Sequence, residues 1–497
     1  MKAKSIALLF SWLSALLCFG NELSFNKKCC KDNPRKNTEE FDTAFENQPA
    51  SLRCPECKQQ LLPEPGAKLN YTQIMFDHTQ LTGAEEYIVE VTLDQDGHGY
   101  TFEHPLARRK DSSTAVMLDN FEFGKKYVWR FTGLHNGKPL GWNGPYSFEI
   151  LTDPVADKKQ FRVRVLENDS LKNTGGLILL DISGNIVDRH GKVVWFLPWQ
   201  QDAYVNENLQ TIANLKNNDM RFTASGTITA LNNHKALEKD LQGNILWQAP
   251  RRSALYHDSL TPGAAYNYHH CFKKLLNGHY MVLDMEYLTL PDSVVYGSHM
   301  MPDGAMQKDT EKVIIPYDII KEFDHNGKLA WSWRGKNYFD TLDWNSPDPE
   351  LIKRNRDGHI NSFDVDEKNG FVYAGFRNLN RLIKIDKKTE TVVCSWGDKM
   401  YYKGVSNGEG FFLRQHGSKL MRDGSIAVFN NNPNPKPLHG QQPFSSVVIF
   451  SQPDDKQSSR VVWKYECHLD TTDNMATVSG NVDELKNGNL LVSFLLS

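Results

Sequence analysis

One pattern recurs across residues 160–497 and restricts the fold more than any other feature. An apolar strand runs into a polar turn with glycine, and a second apolar strand ends on tryptophan. Residues 237–247 (LEKDLQGNILW) and 320–331 (IKEFDHNGKLAW) are two copies. Residues 382–386 with 391–396 make a third, 461–463 (VVW) end a looser fourth, and 184–195 hold a partial fifth. A second half-unit accompanies it: an apolar residue, an Asn-Gly or Asp-Gly turn, then an apolar strand. It appears at 275–282, 421–428 and 485–492. Those dipeptides supply the positive φ angles of a tight hairpin. Together the halves make four-stranded units. Such units at this spacing predict a β-propeller, in which each sheet buries both faces against its neighbours. Five units are recognisable and a sixth is split between the ends, so six blades are expected. The last unit stops before an outer hairpin. The last blade is therefore either incomplete or closed by strands near 175–197.

The text before the propeller differs. Residues 51–154 hold short alternating strands, such as 86–91 (EYIVEV) and 126–131 (KYVWRF), with turns at Asp96-Gly97, Asn136-Gly137 and Asn143-Gly144-Pro145. About one hundred residues of this kind predict a small immunoglobulin-like or fibronectin-like β-sandwich. Thr152-Asp153-Pro154 reads as a linker and residues 21–50 as a polar leader. Lys2 and Lys4 precede an apolar run, 6–19, too short for a bilayer span. Residues 1–20 thus read as an export signal, which places the chain in the periplasm or outside the cell. The whole is all-β. No later segment is apolar enough to span a membrane. With 57 basic and 60 acidic side chains the net charge is -3, which gives a nucleic-acid partner no support. Of eight cysteines, Cys18 would leave with the signal. Cys29, Cys30, Cys54 and Cys57 cluster where two disulfides could form. Cys271, Cys394 and Cys467 read as free thiols.

Aligning the inner half-units on their turn glycine exposes candidate chemistry. His270 and His416 each lie eight residues before it, at Gly278 and Gly424. His359 lies eleven before Gly370, across a longer turn. The same slot holds Gly480 in the last unit and falls near Asn218 in the first, so folding alone does not demand histidine there. One such histidine is ordinarily a capping or core residue; three at one phase are not explained that way. Innermost propeller strands line a central channel, so three imidazoles would meet at one mouth. His269 should point to the opposite face and support His270.

Three imidazoles suit a metal ion or acid–base and nucleophilic chemistry. Arg377 falls on the strand paired after His359 and returns to the same mouth. A guanidinium there disfavours a divalent cation and favours an oxyanion held by forked hydrogen bonds. The residues alone leave three readings open: a group-transfer enzyme, a propeller that only binds a ligand, and a histidine-ligated metalloenzyme.

The motifs Tyr268-His269-His270, His359-Ile360-Asn361-Ser362, Arg377 before 382–386 (LIKID), and Arg414-Gln415-His416 before Asp423-Gly424 resemble the exported bacterial-type arylsulfate sulfotransferases. The resemblance covers residues 160–497, and the preceding sandwich is similar to that family's N-terminal domain. It implies a six-bladed propeller that moves a sulfuryl group from a phenolic sulfate donor to a phenol acceptor, without a nucleotide sulfate donor, cofactor or metal. It makes His416 the transiently sulfated nucleophile and His270 a handler of phenol protons, protonated beside the departing phenolate. His359 and Arg377 become the pair that polarises the sulfuryl oxygens. His269, Asn361, Phe376 and Tyr268 would line the substrate site. A homodimer is left open. Two positions depart from the family's usual residues: Gly417 after His416, and Gly375-Phe376 before Arg377.

Overall fold

A computed structural model describes residues 6–10, 61–94, 99–119, 121–153, 163–166, 176–181, 183–198, 217–232, 234–251, 268–289, 294–300, 306–311, 314–338, 358–398, 406–433, 444–466 and 476–494. The chain forms two compact units. One comprises residues 21–162 and 192–198; the other comprises 1–20, 163–191 and 199–497. The polar leader, the four clustered cysteines, Cys467 and most of the export segment lie outside the described residues.

In the smaller unit, five strands lie in the order Ala67–Leu69, Asn143–Ile150, Lys126–His135, Glu86–Asp94 and Ala107–Asp111. A two-stranded sheet of Ile74–Asp77 and Ala115–Leu118 shares its core. The alternation seen in the sequence has a direct cause there. Tyr127, Trp129 and Phe131 face inward from one strand, and Trp129 meets Phe76 of the smaller sheet edge-on at 5.3 Å. Val193–Phe196 joins this unit through Thr72 N–H, which donates to the Val194 carbonyl at 2.9 Å.

The larger unit is built from antiparallel meanders in chain order. The first is Asn217–Phe222, Ile228–Asn232, Lys235–Lys239, Ile245–Gln248. The second is His269–Lys274, Tyr280–Thr289, Ile314–Phe323, Leu329–Arg334. The third is Ile360–Asp366, Phe371–Phe376, Arg381–Asp386, Val392–Gly397. The fourth is His416–Leu420, Ile426–Asn430, Ser446–Phe450, Val461–Glu466. A hairpin of Ile178–Leu180 and Asn185–Val187 precedes them, and one of Asn481–Glu484 and Leu490–Phe494 follows. Among the described residues the last sheet is built on this hairpin. Ile6–Phe10 lies parallel to its edge, with Ile6 opposite Leu490 and Phe10 opposite Phe494. Removal of an export signal would also remove this strand, so the two readings compete for the same residues.

The meanders bury both faces, and each face belongs to a different core. Val372 and Ala374 pack toward the second meander, whereas Tyr373 packs toward the fourth. Ile426 and Val428 pack toward the third, whereas Ala427 and Phe429 pack toward the last hairpin. This is the period-two alternation of a strand, with both sets apolar. The recurring tryptophans reach across the same interfaces. Trp331 Nε1 donates to the Lys387 carbonyl at 2.9 Å, and Trp396 Nε1 to Ser459 Oγ at 2.8 Å. Trp247 stacks on Tyr280 of the next sheet.

Buried charge pairs also cross between sheets. Glu238 accepts from Lys274 Nζ at 2.8 Å and from Tyr280 and Thr227 hydroxyls. Asp364 pairs with Lys273, and Lys419 with Asp483 at 3.0 Å. Burial alone would raise both Glu238 and Asp364. The lysines and hydrogen bonds outweigh it and hold both below their ordinary values. A depressed folded-state pKa stabilises above the unfolded value, and that stability is lost as pH falls through the folded one. Unfolding should therefore become easier below about pH 4.5, the range where an unfolded Glu begins to bind protons. Lys274→Met should cost about 2–4 kcal/mol at pH 7, because it strands a buried carboxylate. It should also move the acid limb of stability to higher pH. Thermal melts from pH 3 to 8 check both. An unchanged acid limb in the variant would show that Lys274 does not hold Glu238 ionised.

Candidate active site

The leading strand of each meander carries an irregularity at its start. Register shifts fall between Asn218 and Arg221, His269 and Phe272, Ile360 and Ser362, and His416 and Lys419. A left-handed residue accompanies each: Asp219 (φ 52°), His270 (φ 53°), His359 (φ 55°) and Gly417 (φ 55°). Bulges re-aim side chains, and left-handed backbone outside glycine costs of order 1–3 kcal/mol. Two of the three aligned histidines hold that costly conformation themselves. In the third case the neighbour does. A Cβ on Gly417 would sit 2.9 Å from Asn481 Cα, so this departure from the usual residue is sterically required. Gly375 is similarly hemmed in: a methyl group there would stand 2.7 Å from Ser418 Oγ. The equal count to the turn glycine therefore does not give equal ladder positions. His416 pairs opposite Phe429, whereas His270 lies inside its bulge.

The irregularities bring the imidazoles together. The His270 and His359 rings lie 4.7 Å apart, nearly perpendicular at 76°. The His270 side chain is exposed to water. Burial, then His269, His359, His416 and Arg377, push its pKa well below the ordinary 6.5. The neutral ring is therefore the resting form at neutral pH.

Arg377 follows the strand Phe371–Phe376, and its N–H donates to the His359 carbonyl at 3.0 Å. The backbone thus couples the two residues directly. Its Nη1 donates to Asn378 Oδ1 at 3.0 Å. Arg414 Nη1 donates to the same oxygen at 2.8 Å, so one amide aligns two guanidiniums.

His416 is only 9% exposed. Its Nδ1 lies 2.6 Å from Asn431 Oδ1. The orientation of that amide is not arbitrary. Asn431 Nδ2 donates to the Ala476 and Ser479 carbonyls at 2.6 and 2.8 Å, which leaves Oδ1 facing the ring. An oxygen can only accept, so Nδ1 carries the proton and Nε2 the lone pair. Ser479 N–H donates to Nε2 at 3.3 Å. Burial is the largest influence on this ring; the Asn431 bond opposes it, Arg377 and His359 reinforce it, and the pKa falls to about 4. His416 is then neutral across the physiological range.

The other predicted residues fall elsewhere. His269 sits behind His270, with the two Nδ1 atoms 2.8 Å apart. Asn361 Nδ2 donates to the Gln415 carbonyl at 2.8 Å and so braces the strand that carries His416. Tyr268 is buried and donates its hydroxyl to the Pro250 carbonyl at 2.7 Å. Phe376 is fully buried against Trp333. Cys271 and Cys394 are free thiols, as the sequence suggests. Among the described residues no group of three or more His, Cys, Asp or Glu is arranged to hold a metal ion. Asn431, Asn378 and Asp318 carry no motif that marks them in the sequence. The only sequence signal for Asn431 is the run Asn430-Asn431-Asn432 at the end of the strand opposite His416.

Comparison with known proteins gives one strong match and several remote ones. No curated protein matches the sequence. A protein of unknown function from Bacteroides caccae shares 11% identity over 64% of this chain and 77% of its own, with a TM-score of 0.31. Dihydro-heme d1 dehydrogenase NirN gives 11%, 80%, 78% and 0.27. Kluyveromyces lactis Hsv2 gives 9%, 69%, 97% and 0.25. Overlaps this low carry no argument about function. The family profile described as arylsulfotransferase (ASST) matches residues 180–495, which takes in His270, His359, Arg377 and His416. The chain is a member of the arylsulfotransferase (ASST) family.

Proposed function

We propose that this chain transfers a sulfuryl group from an aryl sulfate ester to a phenol by a ping-pong route through sulfohistidine at His416. The observation that carries the reading is the forced tautomer of His416, with its Nε2 lone pair free of a proton and the Arg377 guanidinium nearby. We further propose that the larger unit closes as a six-bladed propeller, and that the smaller is an immunoglobulin-like or fibronectin-like sandwich. Six successive sheets support the first proposal, as does the influence of Asp483 in the last sheet on Arg221 in the first meander. We take the chain to be exported. No described helix is long and apolar enough to cross a membrane.

In the first half-reaction the His416 Nε2 lone pair attacks sulfur. The sulfur–oxygen bond of the donor breaks, and the aryl oxygen leaves with the electron pair. It takes a proton from water. Arg377 and His359 would balance charge on the sulfuryl oxygens. The incoming sulfur displaces the long Ser479 N–H contact and frees that donor for a sulfuryl oxygen. In the second half-reaction His270 accepts the acceptor's proton, the phenol oxygen bonds to sulfur, and the S–Nε2 pair returns to His416. Low basicity helps here, because a weakly basic imidazole departs more readily from sulfur.

Incubation with an aryl sulfate and no acceptor should add one SO3 to the peptide bearing His416, and His416→Ala should abolish both label and transfer. A fully active His416→Ala enzyme would rule this nucleophile out. The pH dependence has a definite sign. A nucleophile with a pKa of about 4 stays neutral at pH 5.5. The kcat/KM should then change less than about twofold between pH 7.5 and 5.5, whereas an ordinary imidazole would lose roughly tenfold. Asn431→Ala should lower kcat by roughly 10–100-fold, the worth of one hydrogen bond to a ring that becomes cationic. Its KM should move little. A parallel rise in KM with kcat intact would mean that Asn431 shapes binding instead.

A further inference from the structure

The geometry points to a positioning chain behind His270, running from the buried carboxylate of Asp318 through His269, that sets the tautomer of His270 and leaves its Nε2 as the base for the acceptor phenol. It rests on the transfer reading above and adds to it two residues with positioning roles.

His269 and His270 meet through their Nδ1 atoms at 2.8 Å. A nitrogen–nitrogen contact this short holds one proton between two lone pairs. Two arrangements satisfy it. In one, His269 donates; its Nε2 then turns a lone pair toward Asp318 Oδ1, 3.7 Å away. Lone pair would face carboxylate at a site where the His269 side chain is 10% exposed and Asp318 2%. In the other, His270 donates from Nδ1 to His269 Nδ1, and His269 Nε2–H faces the carboxylate. The charge of Asp318 selects the second arrangement. His270 Nε2 is then left with a lone pair, on the ring that stands open to water.

Asp318 is itself anchored. It lies on the third strand of the second meander, and its Oδ2 accepts Ile360 N–H at 3.1 Å. Ile360 follows His359 directly. One carboxylate therefore sets the tautomer of His270 and fixes the start of the strand behind His359. The step balances simply. The phenol proton moves to His270 Nε2 as the phenol oxygen bonds to sulfur. The Nδ1–H of His270 stays in place, and the new positive charge is stabilised by Asp318 through the aligned His269 dipole. No proton needs to reach Asp318, and no further reactant is required.

Selective 15N-histidine labelling reads the tautomer without any need for turnover. The wild-type spectrum should show His270 protonated at Nδ1 and bare at Nε2. Asp318→Asn keeps an acceptor for Ile360 N–H and offers His269 Nε2 an amide donor, so His270 should switch its proton to Nε2. In transfer assays this variant should lose roughly 10–100-fold in kcat, less than the ~10²–10⁴-fold of a whole general-base contribution because the base is mis-set rather than removed. The loss should grow with the pKa of the acceptor, because acidic phenols need less help. His269→Phe removes the link but leaves Asp318 on Ile360 and should show the same dependence, which keeps the test open if Asp318→Asn does not fold. Asp318→Glu should restore part of the loss. A wild-type His270 proton on Nε2, an unchanged tautomer in Asp318→Asn, or a loss independent of acceptor pKa would each overturn the positioning chain. Failure of the transfer reading would appear differently, as no sulfate transfer by the wild type despite the expected tautomer.

Discussion

A sheet that is apolar on both faces has to be covered on both, and the rest of the larger unit follows from that requirement. Each meander uses alternate residues of the same strand for two separate cores. Hydrophobic burial of this kind is worth about 25 cal/mol per Å². It sets the order of the sheets and holds their leading strands side by side. Those strands are where His270, His359 and His416 begin. Packing that has no chemical content thus delivers three imidazoles and a guanidinium to one place. The bulges then trade backbone strain for aim, turning side chains out of the ladder at the one end where function needs them.

Gathering cationic groups has an electrostatic consequence that the chemistry exploits. His270 and His416 each lie near other imidazoles and Arg377, so their protonation is opposed by burial and by like charge. The result is two neutral rings, His270 and His416, beside one permanent cation. An arriving sulfate ester supplies the missing negative charge. It meets a fixed guanidinium and, in His416, a lone pair already oriented by Asn431. Oriented donors of this kind lower a barrier because little reorganisation remains when charge moves.

How much of this is visible in the sequence follows from how each feature is encoded. The strand–turn–strand units are legible because Asn-Gly turns and apolar alternation are local signals. The three histidines are legible because repetition gives them a common phase. Their ladder positions are not, since a bulge adds a residue without any required residue type: Asp219, His270 and Gly417 all occupy one. Tyr268 and Phe376 look substrate-facing only from their neighbours in sequence. Adjacent residues on a strand point to opposite faces, and these two face the cores. Asn431 and Asp318 are invisible for the converse reason. Each is brought to a histidine by sheet pairing, across 15 residues for Asn431, and no spacing rule anticipates that.

The two histidines to which the proposed transfer assigns sulfur and proton are each held by a polar group of different charge. His416 leans on a neutral amide, and the row behind His270 ends in a carboxylate. The difference suits their tasks. A nucleophile that must also leave gains from weak basicity, and an amide adds orientation with little basicity. A base must gain a proton while surrounded by cations, which a carboxylate two residues removed makes less costly. Exchanging the two supports would oppose both steps: a carboxylate behind His416 would make the sulfohistidine reluctant to release its group, and an amide behind His270 would leave its charge uncompensated. In the proposed mechanism, the asymmetry of the supporting residues is the physical reason that one imidazole of the cluster would bond to sulfur and another would handle the proton.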